Sequence, residues 1–109
     1  NVTVPFKKAV IPFLEKLTPE ANESKSVNTI YKKNEKIIGH NTDIAGFELA
    51  MRHCKYDVKN KIAFILGAGG VVSSLIVALK KMGISKIFLS NRTKEKAEDL
   101  SKFFNGLVN

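Results

Sequence analysis

The chain has 109 residues, 44% of them hydrophobic and 26% charged, which reads as soluble globular material with a modest core, and no apolar run is long enough to span a bilayer. A single cysteine, Cys54, excludes a disulfide framework and a cysteine metal cluster and fits a reducing cytosol; no metal site is expected. The net charge of +8 is almost all lysine, sixteen against two arginines, spread through every segment without interleaved aromatics, so it argues against a nucleic-acid-binding module and for small anionic ligands.

Taken in order, Asn1-Val2-Thr3-Val4-Pro5 reads as the end of a strand stopped by proline. A helix is expected from Phe6, with Phe6, Val10, Phe13 and Leu14 or Leu17 inward and Pro12 shortening or kinking it. That would put Lys7 at a helix start, where the dipole disfavours a cation unless an anionic group faces it. Thr18-Pro19-Glu20 carries the N-cap and first-turn proline of a short helix ending near Ser24. Val27 to Tyr31 and Lys36 to Ile38 predict a hairpin around Lys33-Asn34-Glu35, closed by Gly39. Asn41-Thr42-Asp43 opens a helix with Ile44, Phe47, Met51 and Cys54 on one apolar face, which makes Cys54 a core residue rather than a nucleophile. Tyr56 to Asn60 is a polar link.

The stretch Lys61 to Thr93 organises the rest. Ile62-Ala63-Phe64-Ile65-Leu66 is an unbroken apolar run, as expected of a strand buried on both faces of a parallel sheet. It breaks at Gly67-Ala68-Gly69-Gly70, and a helix follows with Val72, Leu75, Ile76, Leu79 and Met82 on one face, closed by Gly83. Lys86 to Ser90 is a second strand and leads through Asn91-Arg92-Thr93 into another helix. Strand, glycine turn, helix, strand is a dinucleotide-binding unit: Gly67 permits the sharp exit, Gly69 removes the Cβ that would hold a pyrophosphate off the amides, and the helix start presents free N–H groups. Val72 stands at the third fingerprint position and argues for looser helix–strand packing there. Where a cofactor with a free 2′-hydroxyl meets an acidic residue, this chain has Arg92, with Lys94 and Lys96 behind it, which favours NADP over NAD.

Five motifs in one order, Asn1-Val2-Thr3-Val4-Pro5-Phe6-Lys7, Val27-Asn28-Thr29, Asn41-Thr42-Asp43 with Gly46-Phe47, Leu66 to Gly70, and Asn91-Arg92-Thr93, resemble the shikimate dehydrogenase family over nearly the whole chain. The departures are Val71-Val72, where the family more often has small residues, and His40 before the Asn-Thr-Asp. The resemblance implies the fold of a partial two-domain α/β protein: the end of a substrate-binding domain (residues 1–42), a connecting helix and linker (43–60), and the start of a Rossmann-type NADP-binding domain (61–109). It also implies that the chain is an internal fragment, expected to be inactive alone. The implied reaction is NADPH-dependent reduction of 3-dehydroshikimate to shikimate in aromatic amino acid biosynthesis, in the cytoplasm of the cell, by a monomer or a homodimer.

Carried over motif by motif, Lys7 and Asp43 are the implied catalytic pair, and Thr3 and Asn28 bind substrate with them. Gly67, Ala68, Gly69 and Gly70 would hold the pyrophosphate, and Asn91, Arg92, Thr93 and Lys96 would surround the 2′-phosphate. Hydride delivery to a ketone builds negative charge on its oxygen, which an ammonium can stabilise and protonate while a neighbouring carboxylate orients it. Quinate/shikimate dehydrogenases with relaxed cofactor choice are the near alternative. Glutamyl-tRNA reductase has a similar nucleotide unit but uses a cysteine nucleophile, and Cys54 lies in a linker helix away from any such motif.

Overall fold

Turn chemistry, more than long periodic runs, shapes the first forty residues. Thr18 is the N-cap of helix α1 (Pro19–Ser24), its hydroxyl accepting from the Ala21 N–H at 3.4 Å, with Pro19 at the first position. Glu20 follows in that first turn. Its carboxyl is held below the ordinary carboxylate range, chiefly by its own backbone N–H, with smaller help from Thr18, His40 and Lys81 and with partial desolvation opposing. Strands β2 (Thr29–Lys33) and β3 (Lys36–His40) form the expected hairpin, turned by Asn34 and Glu35 at φ 50° and 62°. Two positive φ values are the two-residue turn whose twist matches that of paired strands. The computed structural model describes all 109 residues.

Three expectations for this lobe are corrected. Strand β1 (Lys16–Leu17) carries no sequence signal; it is two residues long and pairs parallel with β3, giving the order β1-β3-β2. Gly39 does not end the hairpin but lies within β3, opposite Leu17 and Ile30. A Cβ there would fall 2.5 Å from Leu14 Cδ1 and 2.9 Å from Val27 Cγ2, so its task is close approach. The segment before β1 is neither strand nor helix: residues 1–10 run as extended chain and turns, followed by one 3-10 turn at Ile11–Phe13, and the Val4–Pro5 peptide is cis. Pro12 removes a donor where a helix would need one, and Phe6 and Phe13 point outward instead of inward.

Helix α2 (Asp43–His53) leads out of this lobe, burying Ile44 and resting Phe47 and Met51 on the second core. Cys54, expected on that apolar face, is exposed and sits at the C-cap, one residue past the helical register. The second lobe is β4 (Ile62–Leu66), α3 (Val72–Lys81), β5 (Lys86–Ser90) and α4 (Lys94–Phe103), with β4 and β5 parallel from Ile62↔Lys86 to Leu66↔Ser90. Leu107 to Asn109 runs beside β5 through a parallel bridge between Ile87 and Val108. This is a Rossmann-type beginning: strand, turn, helix, strand, helix, strand edge.

Helix α3 is the packing centre, burying Val72, Ile76, Val77, Ala78 and Leu79 among twelve core residues that include Ile44, Ile87, Leu100 and Phe104. Val72 is 5% exposed, so the larger residue at the third fingerprint position fills its space and the packing is not open there. The expectation that β4 is buried on both faces fails. Ile62, Phe64 and Leu66 alternate outward, with Phe64 68% exposed and stacked loosely on Phe88, while Ala63 and Ile65 face the core. Within this chain helices cover one face of the sheet only.

Gly39→Ala should lower stability by about 1–3 kcal/mol, because the added Cβ would meet Leu14, Leu17 and the fully buried Val27 at once. Urea unfolding of the two forms checks this.

Candidate functional site

Two hydrogen bonds explain why Lys7, in an irregular segment, has a defined place. Val2 N–H donates to Asn28 O at 2.8 Å and Val27 N–H donates to Lys7 O at 2.8 Å, so residues 2–7 lie against the strip leading into β2. Asp43 comes from the other direction, in the first turn of α2, where the helix dipole stabilises its charge. The Lys7 ammonium donates to Asp43 Oδ2 at 2.7 Å, with the two side chains 14% and 26% exposed. Asn28 completes the group: its Nδ2 donates to Asp43 Oδ1 at 3.1 Å and to Thr42 Oγ1 at 2.8 Å, and its Oδ1 accepts from Thr42 N–H at 3.0 Å. Both carboxylate oxygens of Asp43 are therefore engaged and the carboxylate plane is fixed. An ammonium so held can donate to an oxygen that gains charge, while the carboxylate accepts from a hydroxyl beside it.

The glycine turn is built in the same economical way. Gly67 takes φ 109°, beyond the reach of ordinary side chains, and donates to Ser90 O at 2.7 Å. Asn91, at the end of β5, accepts from Ala68 N–H at 3.0 Å and donates to Thr93 O at 2.7 Å. Its side chain thus braces the turn. The amides of Gly69, Gly70 and Val71 donate to nothing in the chain, and the space a Cβ would fill at Gly69 is open to 4 Å. Unpaired N–H groups at a helix start beside clear space form a cradle for phosphate oxygens. Arg92 is exposed and in no ion pair, and Thr93 stands at the N-cap position of α4 without a capping bond from its side chain.

A cleft of about 530 Å³ separates the lobes, with Val4, Pro5, Lys7, Lys8 and Lys25 on one wall and Ala68, Gly69, Gly70, Lys96 and Asp99 on the other. Lys7 and the glycine turn therefore face a common space, and Lys96 joins them. Gly67, Asn91, Arg92 and Thr93 are not among the residues lining this cleft, and neither are Asn28 and Asp43. Thr3 is not gathered with Asn28 and Asp43; it faces a shallower depression with Asn1, Val2 and Phe6. His40 pairs with the Thr18 hydroxyl at 2.9 Å, away from the cleft.

Asn41, which the sequence places in a motif without a task, has one in the structure. It is fully buried, and its Oδ1 accepts from the N–H groups of Asp43 at 2.9 Å and Ile44 at 3.4 Å, which makes it the working cap of α2. The signal was present: asparagine two and three residues ahead of the first helical amides is the capping arrangement. Lys8 and Lys25 were likewise unmarked, and solvated lysines carry no signal that separates them from fourteen others.

The substrate binding domain of shikimate dehydrogenase matches residues 1–30, and the family described as shikimate / quinate 5-dehydrogenase matches residues 48–108. A Pelagibacter ubique protein named shikimate dehydrogenase (NADP(+)) is 64% identical over 104 residues, 95% of this chain and 39% of that protein. The crystal structure of shikimate dehydrogenase from Aquifex aeolicus superposes with a TM-score of 0.89 at 45% identity, covering 100% of this chain and 41% of that one. A Thermus thermophilus shikimate 5-dehydrogenase in complex with NADP(H) and shikimate gives 0.84 at 31% identity, with 100% and 41% covered. The chain thus spans about two fifths of the length of the curated relatives it matches.

Because the Cβ position at Gly69 is open, Gly69→Ala should leave the thermal midpoint within about 2 °C of the parent while weakening dinucleotide binding at least about tenfold. Differential scanning fluorimetry and a fluorescence titration with NADPH measure the two quantities separately.

Proposed function

The chain belongs to the shikimate / quinate dehydrogenase family, and from that premise we propose that it carries the catalytic pair and the phosphate-binding turn of an NADP-dependent oxidoreductase that interconverts 3-dehydroshikimate and shikimate. The observation that carries the reading is the Lys7–Asp43 contact of 2.7 Å, with Lys7 facing the glycine turn across one cleft. In this reading residues 1–42 belong to the substrate-binding domain, 43–60 connect, and 61–109 begin the nucleotide-binding domain. No helix of the chain is long and apolar enough to cross a membrane, and no His, Cys, Asp and Glu cluster could hold a metal ion.

The residues present fit a phosphorylated dinucleotide. Three unpaired amides at the start of α3 suit a pyrophosphate, and the free guanidinium of Arg92 with the ammonium of Lys96 suits a 2′-phosphate that a carboxylate would repel. Asn91 and Thr93 act by shaping that corner, since the Asn91 side chain is spent on bracing the turn. When bound, the reduced nicotinamide supplies a hydride to the substrate carbonyl carbon.

Lys7 then hydrogen-bonds the carbonyl oxygen, stabilises the charge that grows on it and gives it a proton; in the oxidation direction its free amine takes the hydroxyl proton. Asp43 holds the ammonium by one oxygen, and the Asn28 amide and a substrate hydroxyl share the other. The pair is pre-assembled, so binding does not have to pay for orienting it. Thr3, close in sequence to Lys7, would contact a more distant hydroxyl or the carboxylate.

Quinate as a second substrate, with NAD as a second cofactor, is the alternative within the same family, and the family description that names both substrates favours keeping it in view. Rates of the gene-encoded protein with shikimate and quinate, each with NADP and NAD, separate the two.

Lys7→Ala should reduce kcat by about 10²–10⁴-fold, the usual worth of a positioned proton donor, while the Kd for NADPH stays within about threefold. Equal loss of turnover and binding would mean that Lys7 supports the fold instead. Arg92→Glu should lower the preference for NADPH over NADH by roughly a hundredfold through lost ion pairing and added repulsion, read from kcat/KM with each cofactor.

A further inference from the structure

We infer that Asn41 is a positioning residue for the reaction, and that its bond to Ser74 is the latch fixing the distance between the Lys7–Asp43 pair and the glycine turn. The inference rests on the function proposed above and goes beyond it by naming what registers the two lobes. Asn41 is fully buried and every polar atom of its side chain is engaged. Its Oδ1 accepts from the Asp43 and Ile44 amides, which sets the backbone of the residue that presents the carboxylate. Its Nδ2 lies 2.9 Å from Ser26 O, 3.1 Å from Ser24 Oγ and 2.8 Å from Ser74 Oγ. The side-chain orientation is dictated by this company, because turning the amide over would set its NH₂ against two N–H donors and its oxygen against a carbonyl.

Each partner leads to a different part of the site. Ser26 precedes Val27, whose N–H holds the Lys7 carbonyl, and Asn28, whose amide holds Asp43. Ser74 is fully buried in the first turn of α3, three residues after the last unpaired amide of the phosphate cradle. A single carboxamide thus touches the backbone of the acid, the strip that supports the lysine and the helix that meets the phosphates. Three acceptors share two hydrogens, so the bond to Ser74 is the member that crosses from one lobe to the other while the remaining two stay within the first. Geometry of this kind acts on rate: a displacement of about an ångström between hydride donor and acceptor weakens the chemical step without altering the contacts that give affinity.

The decisive variant is Ser74→Ala in the gene-encoded protein, since alanine is a good residue within a helix and the change removes the latch alone. We expect kcat to fall about tenfold, with the NADPH Kd and the shikimate KM within about twofold and the thermal midpoint within about 3 °C. Asn41→Asp keeps the capping oxygen but loses the donor, and should cost at least as much. In the double variant Ser74→Ala should add almost nothing, because one bond cannot be lost twice. A wild-type kcat in Ser74→Ala, a loss of turnover matched by a loss of NADPH binding, or fully additive effects would each overturn the latch. Absence of shikimate turnover in the parent protein would instead sink the proposed reaction. The latch would then be judged by hydrogen exchange at the Asp43 and Ile44 amides, which should be at least about fivefold faster in Ser74→Ala; unchanged exchange would refute it.

Discussion

An ammonium and a carboxylate held 2.7 Å apart, between residues 36 positions apart in the chain, are the contact around which the first lobe is arranged. Neither group is far enough from water to carry the full cost of burying a charge, and neither is so exposed that the contact is left to chance. The carboxylate also accepts from Asn28 and stands in the first turn of α2, so three features fix its place: the ammonium, the amide and the helix start. Such a pair contributes little net stability. It is better understood as a device that the surrounding hydrogen bonds, from Asn28, Asn41 and Thr42, hold in one geometry.

The second lobe is organised by burial instead of by charge. Helix α3 hides five apolar side chains and two serines, leaving its N-terminal amides to face the cleft. Packing against both α1 and α2 means that the phosphate cradle and the ion pair are connected by solid contacts and not only by a linker. The opposite face of β4 and β5 stays apolar and uncovered, with Ile62, Phe64, Leu66 and Phe88 turned to solvent. A sheet of this class is ordinarily covered by helices on both sides, and the chain spans about two fifths of its curated relatives.

What could be read from sequence follows from how local each cause is. The βαβ unit was legible because its signals are local and agree: an apolar run, glycines, a 3.6-residue period and a second apolar run, and both strands appear with the bounds expected, Ile62–Leu66 and Lys86–Ser90. The hairpin was legible from Asn34-Glu35 for the same reason. The segment from Phe6 to Phe13 carries a helical spacing but no long helix, because Pro5 and Pro12 oppose one and the backbone of residues 2–7 answers to Val27 and Asn28, far along the chain. Strand β1, the outward faces of β4 and the exposure of Cys54 all depend on what packs against them, which no local pattern encodes. The site divides likewise. Lys7, Asn28 and Asp43 each stand in a motif that can be read locally, whereas the bond between Asn41 and Ser74 joins positions 33 apart and leaves no local pattern.

Charge supplies the last link between composition and chemistry. No helix begins at Lys7, so its ammonium has no helix dipole to oppose. The cleft wall instead gathers Lys7, Lys8, Lys25 and Lys96 against the single carboxylate of Asp99. A concave surface with so uneven a balance focuses a positive potential on whatever enters it. Most of the sixteen lysines sit in solvent, where salt screens them. The few that line the cleft act at short range on anionic groups brought close to them. A carboxylate and phosphates brought into the cleft would therefore both meet attraction there. Only at Lys7 does a carboxylate partner fix the ammonium in one direction.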